Sequence, residues 1–285
     1  MTALRLYDTL PTWERKTIPK ALLEKYQTTE GTWSKLTILS GELQCDFLDE
    51  EGNSVERHLF TPDSEVPFIS PQTWYKLAAL TDDTQLSLSF YCQDEDYISK
   101  KYQTQPHSEV KEAAPILAKE NVLDLGCGHG RNSLFLANKG SKVTALDLNQ
   151  DGLEHLKTIA EAEDLAITVN SYDINSAKLT ESYDSIISTV VFMFLDPDRI
   201  PSIIKNMQEQ TKIGGHHLIV SAMDTKDYPC PMPFSFTFKE GELKHYYKDW
   251  EIIKYNENLG NLHRLDLFGN PIRMKFATLL AKKIK

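Results

Sequence analysis

The alternation of apolar and polar residues separates the chain into two parts. In the first ninety residues, short β-type runs are separated by turn residues: Trp33–Leu39 reaches Ser40-Gly41, and Glu42–Leu48 alternates before the turn at residues 49–53, which favours a hairpin. Further runs of this type lie at residues 55–60, 74–80 and 85–91. This pattern predicts a smaller, mainly-β domain, built as an antiparallel sandwich or a small barrel.

The second part has short continuous apolar runs joined by helical segments. Val122–Leu125 is suited to a buried parallel strand, and it leads into Gly126, Gly128 and Gly130, which permit positive φ and close approach of the backbone to a ligand. Further strands are predicted at residues 143–149, around 167–169, within 183–195 and at 216–221. The order strand, glycine turn, helix, strand predicts a Rossmann-like α/β domain.

The glycine spacing bears on the cofactor. It is Gly-x-Gly-x-Gly with Asp124 in the preceding strand, whereas the dinucleotide fingerprint is Gly-x-Gly-x-x-Gly. The methionine part of S-adenosylmethionine carries an ammonium group that an acid could hold, so the spacing favours this cofactor over NAD, with Asp124 as the ammonium ligand. A glycine turn alone is equally compatible with a tight strand-to-helix loop.

Acidic residues after the next two strands strengthen the prediction of a nucleotide-type site. Asp147 ends a strand about twenty residues after the glycines, where a carboxylate binds the ribose hydroxyls in a Rossmann-like unit. Asp173 could accept a hydrogen bond from the adenine amino group, while Ile174 covers a face of the ring. The fourth strand, within residues 183–195, opens into an apolar segment where the sulfur of the methyl donor would lie.

Together these motifs resemble the seven-stranded class I S-adenosylmethionine-dependent methyltransferases over roughly residues 95–285. Within that superfamily the chain is similar to the tellurite-resistance methyltransferases of the TehB type. The segments that carry this similarity are His107–Val110, Asp124–Ser133, Ser188–Val191 and Met193–Leu195, together with Ala222–Cys230, Phe238–Leu243, Lys254–Glu257, Leu262–Arg264 and Phe276–Lys282 in the tail.

The resemblance implies a seven-stranded Rossmann-like methyltransferase sheet, preceded by a cupin-like β-domain that accompanies some members of the family. It implies a domain of residues 1–92, a linker with a short helix at 93–106, and a methyltransferase domain of 107–285. It also implies a set of cofactor contacts: Tyr102, Asp124, Gly126, Cys127, Gly128, Arg131, Asn132, Asp147, Leu148, Asp173, Ile174, Thr189 and Val190. For Tyr102, packing between domains is an equally good interpretation.

The substrate implied by the family is a metalloid oxyanion such as tellurite or selenite, whose methylation contributes to detoxification. Its oxygens need cationic hydrogen-bond donors, a task that suits arginine and histidine. By resemblance we expect His263 and Arg264 to act on the substrate, with Arg131 and Arg273 in support. A solvated cation pair is the alternative for His263 and Arg264. An organic thiol or another small metabolite is an alternative acceptor, and a small-anion or partner-binding protein with incidental catalysis is an alternative function.

Composition and charge limit the classes of binding partner that we expect for the protein. The 285 residues include 31 basic and 41 acidic side chains, giving a net charge of −10, which disfavours a nucleic-acid partner. No apolar run is long enough to span a bilayer and the N-terminus lacks a signal-peptide core, so we expect a cytoplasmic protein without a membrane partner. The first ninety residues contain a single histidine, His58, so we expect no cupin metal. The oligomeric state is left open.

Overall fold

The computed structural model describes residues 3–117, 121–265 and 269–285, without the side chains of His263 and Arg264. The chain divides into two compact units, residues 1–104 and residues 105–285.

The first unit is built from two antiparallel sheets, as the alternating pattern predicts. In one sheet, β7 pairs with β1, β2 and β3; in the other, β4 pairs with β5 and β6, so that β4 and β5 form the hairpin across residues 49–53. The elements of this unit are β1 (Leu4–Thr9), β2 (Trp13–Glu14), α1 (Lys20–Glu24), β3 (Trp33–Ser40), β4 (Leu43–Leu48), β5 (Ser54–Phe60), β6 (Tyr75–Ala79), β7 (Gln85–Gln93) and α2 (Tyr97–Lys101).

One apolar core joins the two sheets of the first unit into a sandwich. Leu36 and Leu88 from one sheet and Leu43 and Leu77 from the other belong to the same buried cluster. The chain passes from β3 in one sheet to β4 in the other at Gly41, where φ is +72° and an added Cβ would lie 2.7 Å from Thr84 Cα. Only glycine fits that turn without displacing the backbone.

The second unit is a seven-stranded sheet flanked by helices, as the resemblance predicts. The strand order is β10-β9-β8-β11-β12-β14-β13; the first five strands are parallel, and β14 runs antiparallel to both of its neighbours. Its strands are β8 (Asn121–Leu125), β9 (Lys142–Asp147), β10 (Ile167–Ser171), β11 (Tyr183–Thr189), β12 (Thr211–Ala222), β13 (Glu251–Leu265) and β14 (Pro271–Lys282); its helices are α3 (Ser108–Leu117), α4 (Arg131–Asn138), α5 (Gln150–Ala162), α6 (Ile200–Glu209) and α7 (Glu242–Tyr246).

Apolar clusters cover both faces of this sheet. Leu218 of β12 belongs to a cluster with Val110 of α3 and Leu136 of α4, whereas the next residue, Ile219, belongs to a cluster with Ile203 of α6. Because strands buried on both faces need apolar residues at successive positions, the sequence shows continuous runs here rather than alternation. No helix in the described ranges is long and apolar enough to cross a membrane.

Candidate cofactor and acceptor site

A cavity of about 560 Å³ lies at the carboxyl ends of the parallel strands of the second unit. This is the edge at which open α/β sheets bind ligands, and the volume is within the roughly 300–1,000 Å³ usual for small-molecule sites. We call it the first cavity. It is lined by residues 126–129, Arg131, Asn132, residues 147–149, residues 172–175, residues 189–191, Phe194 and Leu195.

The glycine turn after β8 forms one wall of the first cavity. Gly126 has φ of +82°, and a Cβ added there would collide with the Val191 side chain. Gly128 has φ of +55°, and a Cβ added there would meet no heavy atom within 4 Å. Gly126 is therefore required by packing, whereas Gly128 leaves the backbone open on a side where a ligand can approach it.

Asp147, the last residue of β9, holds this turn in place. One carboxylate oxygen accepts a hydrogen bond from Gly128 N at 2.8 Å, and the other accepts from Asn149 N at 2.8 Å. Asn149 then caps α5 by accepting a hydrogen bond from Gly152 N at 3.2 Å. Since a carboxylate has about four acceptor positions, Asp147 keeps the capacity to bind hydroxyl groups in the cavity.

The loop after β10 forms the opposite wall. Asp173 accepts a hydrogen bond from Asn175 N at 2.9 Å, and its exposed side chain lines the cavity beside the buried Ile174. Arg199 holds the loop from behind, because its Nε donates to the Asn175 carbonyl at 2.8 Å. The wall thus combines a hydrogen-bond acceptor with an apolar surface, which suits a heteroaromatic ring.

Asp124 lies behind the glycine turn rather than on the cavity wall. Its side chain is 1% exposed and accepts a hydrogen bond from Ser133 Oγ at 2.6 Å, and it does not belong to the described residues that line the first cavity. Burial raises the pKa of Asp124 to about 6, with the Ser133 hydrogen bond opposing the shift. At this position the carboxyl fixes the first turn of α4, and its contact with a cofactor ammonium stays a prediction.

Asn132 connects three elements around the first cavity. It is 3% exposed; its Oδ1 accepts a hydrogen bond from His107 N at 2.9 Å, and its Nδ2 donates to Thr189 Oγ1 at 3.0 Å. The amide therefore ties the first turn of α4 to the start of α3 and to the end of β11. The sequence analysis predicted Asn132 as a cofactor contact by resemblance, but it did not predict that this amide connects three elements.

A second cavity, of about 420 Å³, adjoins the first one. It shares Arg131 and Val190 with the first cavity, so these two residues stand between the two spaces. Its other lining residues come from the start of α3 and from β12, β13 and β14: His107, Ser108, Glu109, Val220, Asn256, Asn258, Leu259, Gly260, Asn261, Leu262, Phe276 and Thr278. The pair of adjoining cavities is an arrangement in which two reactants can meet.

Val190 has an unusual backbone at this boundary. Its φ is +62°, a conformation that is a genuine outlier for a β-branched residue, and its N–H donates to the Val220 carbonyl at 2.7 Å. Strain of this kind costs on the order of 1–3 kcal/mol and concentrates at binding and catalytic sites. The structure therefore keeps Val190 between the two cavities despite the free-energy cost of its strained backbone.

The structure brings together most of the residues predicted to contact the cofactor. All of them except Tyr102 and Asp124 line the first cavity. Tyr102 belongs to the first unit, so its contact with the cofactor stays a prediction. The sequence-based prediction missed residues on the same wall, which adjoin predicted contacts in the chain and could have been found by extending each motif by a few positions: His129, Asn149, Tyr172, Asn175, Val191, Phe194 and Leu195.

Of the residues predicted to act on the substrate, the structure places only Arg131 on a cavity wall among those whose side chains it describes. Arg131 lines both cavities. Arg273 of β14 is exposed and does not belong to the described lining of either cavity; strand alternation puts it on the face opposite Met274, Phe276 and Thr278. The side chains of His263 and Arg264 lie outside the described residues. Strand β13, which contains both, supplies Asn256 and Asn258–Leu262 to the second cavity.

Cys127 lines the first cavity but is chemically quiet. Burial raises the pKa of its thiol far above the ordinary value, and the nearby Asp124 and Asp147 carboxylates act in the same direction. The reactive thiolate form is therefore disfavoured at neutral pH, which argues against a nucleophilic role. Among the described residues, no three His, Cys, Asp or Glu side chains are grouped so that they could hold a metal ion.

Comparisons with known proteins give matches over nearly the whole chain. The family model described as "Tellurite resistance protein TehB" matches residues 90–280, and the model described as "TehB-like domain" matches residues 8–88. The chain is 53% identical over 278 residues, 97% of each chain, to the "Probable S-adenosyl-L-methionine-dependent methyltransferase TehB" of Haemophilus influenzae. It is 48% identical over 237 residues, 83% of this chain and 79% of the other, to "Hemagglutinin 1" of Eikenella corrodens. The crystal structure of TehB from Haemophilus influenzae superimposes with a TM-score of 0.87 over 98% of each chain at 53% identity.

Proposed function

Because the chain belongs to the TehB family of S-adenosylmethionine-dependent methyltransferases, we propose that it methylates tellurite, selenite or a related metalloid oxyanion and so contributes to tellurite resistance. The observation that carries the proposal is the pair of adjoining cavities that share Arg131 and Val190. In this account the cofactor occupies the first cavity and the acceptor occupies the second.

The walls of the first cavity fit S-adenosylmethionine. Asp147 offers acceptor positions for the ribose hydroxyls beside the open Gly128 backbone, while Asp173 and Ile174 offer an acceptor and an apolar surface for the adenine ring. When bound, the cofactor supplies a methyl group on a positively charged sulfur. The first cavity therefore has to direct that methyl toward the boundary with the second one.

At that boundary the protein mainly positions the acceptor. Methyl transfer is an in-line displacement, so correct alignment of the nucleophile supplies much of the acceleration. A lone pair on tellurium or selenium forms the new bond to the methyl carbon, and the electrons of the broken carbon–sulfur bond remain on sulfur. The Arg131 guanidinium, which lines both cavities, is suited to bind an oxyanion oxygen while the lone pair faces the methyl group.

By resemblance to the family, we retain His263 and Arg264 as further acceptor-binding residues. The support is their place in β13, directly after the residues that line the second cavity. The proposal also includes a cytoplasmic location and a cupin-like first unit without a metal. The antiparallel sandwich of residues 1–104 supports the cupin-like architecture.

An organic thiol is the alternative acceptor, and one observation favours it. The second cavity is lined partly by apolar side chains, Leu259, Leu262 and Phe276, that could pack against a hydrocarbon substituent. A thiol would use the same cofactor cavity and the same displacement, so the two acceptors differ only in what the second cavity binds.

Turnover with isotope-labelled S-adenosylmethionine tests the proposal. Purified full-length protein is incubated with tellurite, selenite or a small alkyl thiol, and methylated products are identified by mass spectrometry. We expect methylated tellurium and selenium species. Methylation of the thiol with no methyl transfer to either oxyanion would replace the proposed acceptor with the alternative one.

A further inference from the structure

A row of four paired residues crosses the sheet beneath the two cavities. Thr189 of β11 is opposite Val220 of β12, Val220 is opposite Thr278 of β14, and Thr278 is opposite Asn256 of β13. Because directly paired residues point to the same face, all four side chains lie on one side of the sheet. Thr189 lines the first cavity and the other three line the second, so the row runs from the cofactor to the acceptor space.

Thr278 is the unusual member of this row. Its side chain lines the second cavity although the residue is only 4% exposed, and among the described residues its hydroxyl has no hydrogen-bond partner. The Thr278 side chain lines the second cavity, and its hydroxyl can form a hydrogen bond to a ligand there, which a valine of nearly the same shape could not do.

Asn256, on the neighbouring strand, also has a polar side chain that lines the second cavity. It is half-buried beside Thr278, and its amide has no partner among the described residues. A hydroxyl and an amide can each donate a hydrogen bond to an oxyanion oxygen, and each can accept one from a protonated oxygen. The Glu109 carboxylate, which also lines the second cavity, is paired with Lys254 at 2.6 Å, and this pairing limits its repulsion of an anion.

We propose that Thr278 and Asn256 form an uncharged subsite that hydrogen-bonds the oxygen atoms of a small oxyanion acceptor, while Arg131 supplies the charge. The inference rests on the proposed function and adds the residues that select for an oxygen-bearing acceptor. The subsite positions the acceptor and takes no part in bond making. Its loss therefore raises KM for the acceptor more than it lowers kcat. It makes no contact with the first cavity.

The test uses selenite and full-length protein at saturating S-adenosylmethionine. Thr278→Val removes the hydroxyl at nearly constant shape, and Thr278→Ser keeps it. Asn256→Asp adds a negative charge at a half-buried position with little change in size, and so provides a second variant if Thr278→Val folds poorly. Ser221→Ala is the control, because Ser221 carries a buried hydroxyl without a partner among the described residues, one position from Val220 and on the face opposite the second cavity.

We expect KM for selenite to rise about tenfold in Thr278→Val, the size of one lost hydrogen bond to a charged group, and at least as much in Asn256→Asp. Thr278→Ser and Ser221→Ala should keep KM within about twofold, and Kd for S-adenosylhomocysteine should not change in any variant. Unchanged KM in Thr278→Val and Asn256→Asp would overturn the subsite while leaving the proposed function intact. A wild-type protein that methylates neither selenite nor tellurite would overturn the proposed function, and the subsite with it.

Discussion

The Gly128 amide nitrogen donates a hydrogen bond to the Asp147 carboxylate across 2.8 Å. This bond joins the glycine turn after β8 to the last residue of β9, and both residues line the first cavity. The conformation of the turn and the proposed hydrogen-bond acceptor for the ribose therefore depend on the same side chain.

Asp147→Asn keeps the size of this side chain but removes its charge and one of its acceptor oxygens. We expect Kd for S-adenosylmethionine to rise about 10- to 100-fold, corresponding to about 1.5–3 kcal/mol for hydrogen bonds to a charged group. Titration calorimetry measures it. Asp151→Asn, an exposed change in the first turn of α5, is the control and should leave Kd unchanged. Equal affinities for wild type and Asp147→Asn would show that the carboxylate does not bind the cofactor.

Asn132→Ala should affect stability and both ligands together. The substitution removes the two hydrogen bonds that Asn132 makes with His107 N and Thr189 Oγ1, so we expect a loss of about 1–3 kcal/mol in the free energy of unfolding, measured with urea. Affinity for the cofactor and KM for the acceptor should both worsen, because Asn132 fixes elements that border both cavities. The exposed Asn170→Ala is the control, with an expected change below about 0.5 kcal/mol. If Asn132→Ala matches that control, the amide has no positioning role.

Asp124 predicts a specific dependence of stability on pH. Burial raises the pKa of Asp124 to about 6, so between its ordinary value near 3.8 and pH 6 the folded state binds more protons than the unfolded state. Ionisation of this group therefore costs stability as pH rises through that window. Asp124→Asn cannot ionise, so its stability relative to wild type should increase by up to about 3 kcal/mol from pH 4 to pH 7.

Urea unfolding of the wild type and of Asp124→Asn at several pH values measures this difference. Groups that titrate equally in both proteins, such as the buried neutral His217, whose pKa burial lowers to about 3, cancel in the comparison. A difference between the two proteins that stays constant from pH 4 to pH 7 would mean that Asp124 has an ordinary pKa.

Val190→Gly separates strain from function. Glycine adopts φ of +62° freely, so relief of strain should offset the lost side-chain packing, and the free energy of unfolding should change by less than about 1 kcal/mol. Turnover should nonetheless fall about tenfold or more, because the side chain that borders both cavities is gone. If Val190→Gly instead lost several kcal/mol in the free energy of unfolding, and its lower turnover followed from the smaller folded fraction, Val190 would be a packing residue only.

Local motifs predicted the fold and the first cavity well. Each of these motifs reflects a local property of the structure. The glycine turn needs positive φ, the acids at 147 and 173 follow strand ends, and the continuous apolar runs belong to strands that are buried on both faces. The family comparison confirms the class of enzyme and the cofactor that these motifs indicate. The hydrogen bond from Ser133 to Asp124 was not predicted, because a residue within a buried strand can point to either face and the sequence alone does not show which.

The second cavity could not be predicted in the same way. Thr278, Asn256 and Val220 are brought together only by the register of β12, β13 and β14, and β14 pairs with a strand that precedes it by about fifty residues. Arg273 was predicted by resemblance as a supporting cation; alternation along β14 places it on the face opposite Thr278, and its action on the substrate stays a prediction. Which residues share a face across non-consecutive strands depends on long-range pairing.

The position of bound selenium tests the central claim most directly. Crystals of the full-length protein with S-adenosylhomocysteine and selenite are measured at the selenium absorption edge, using protein with ordinary methionine. The account predicts an anomalous selenium peak in the second cavity, between the Arg131 guanidinium and the Thr278 hydroxyl, with the cofactor product in the first cavity. A selenium peak elsewhere in the protein, or a cofactor product bound outside the first cavity, would contradict it.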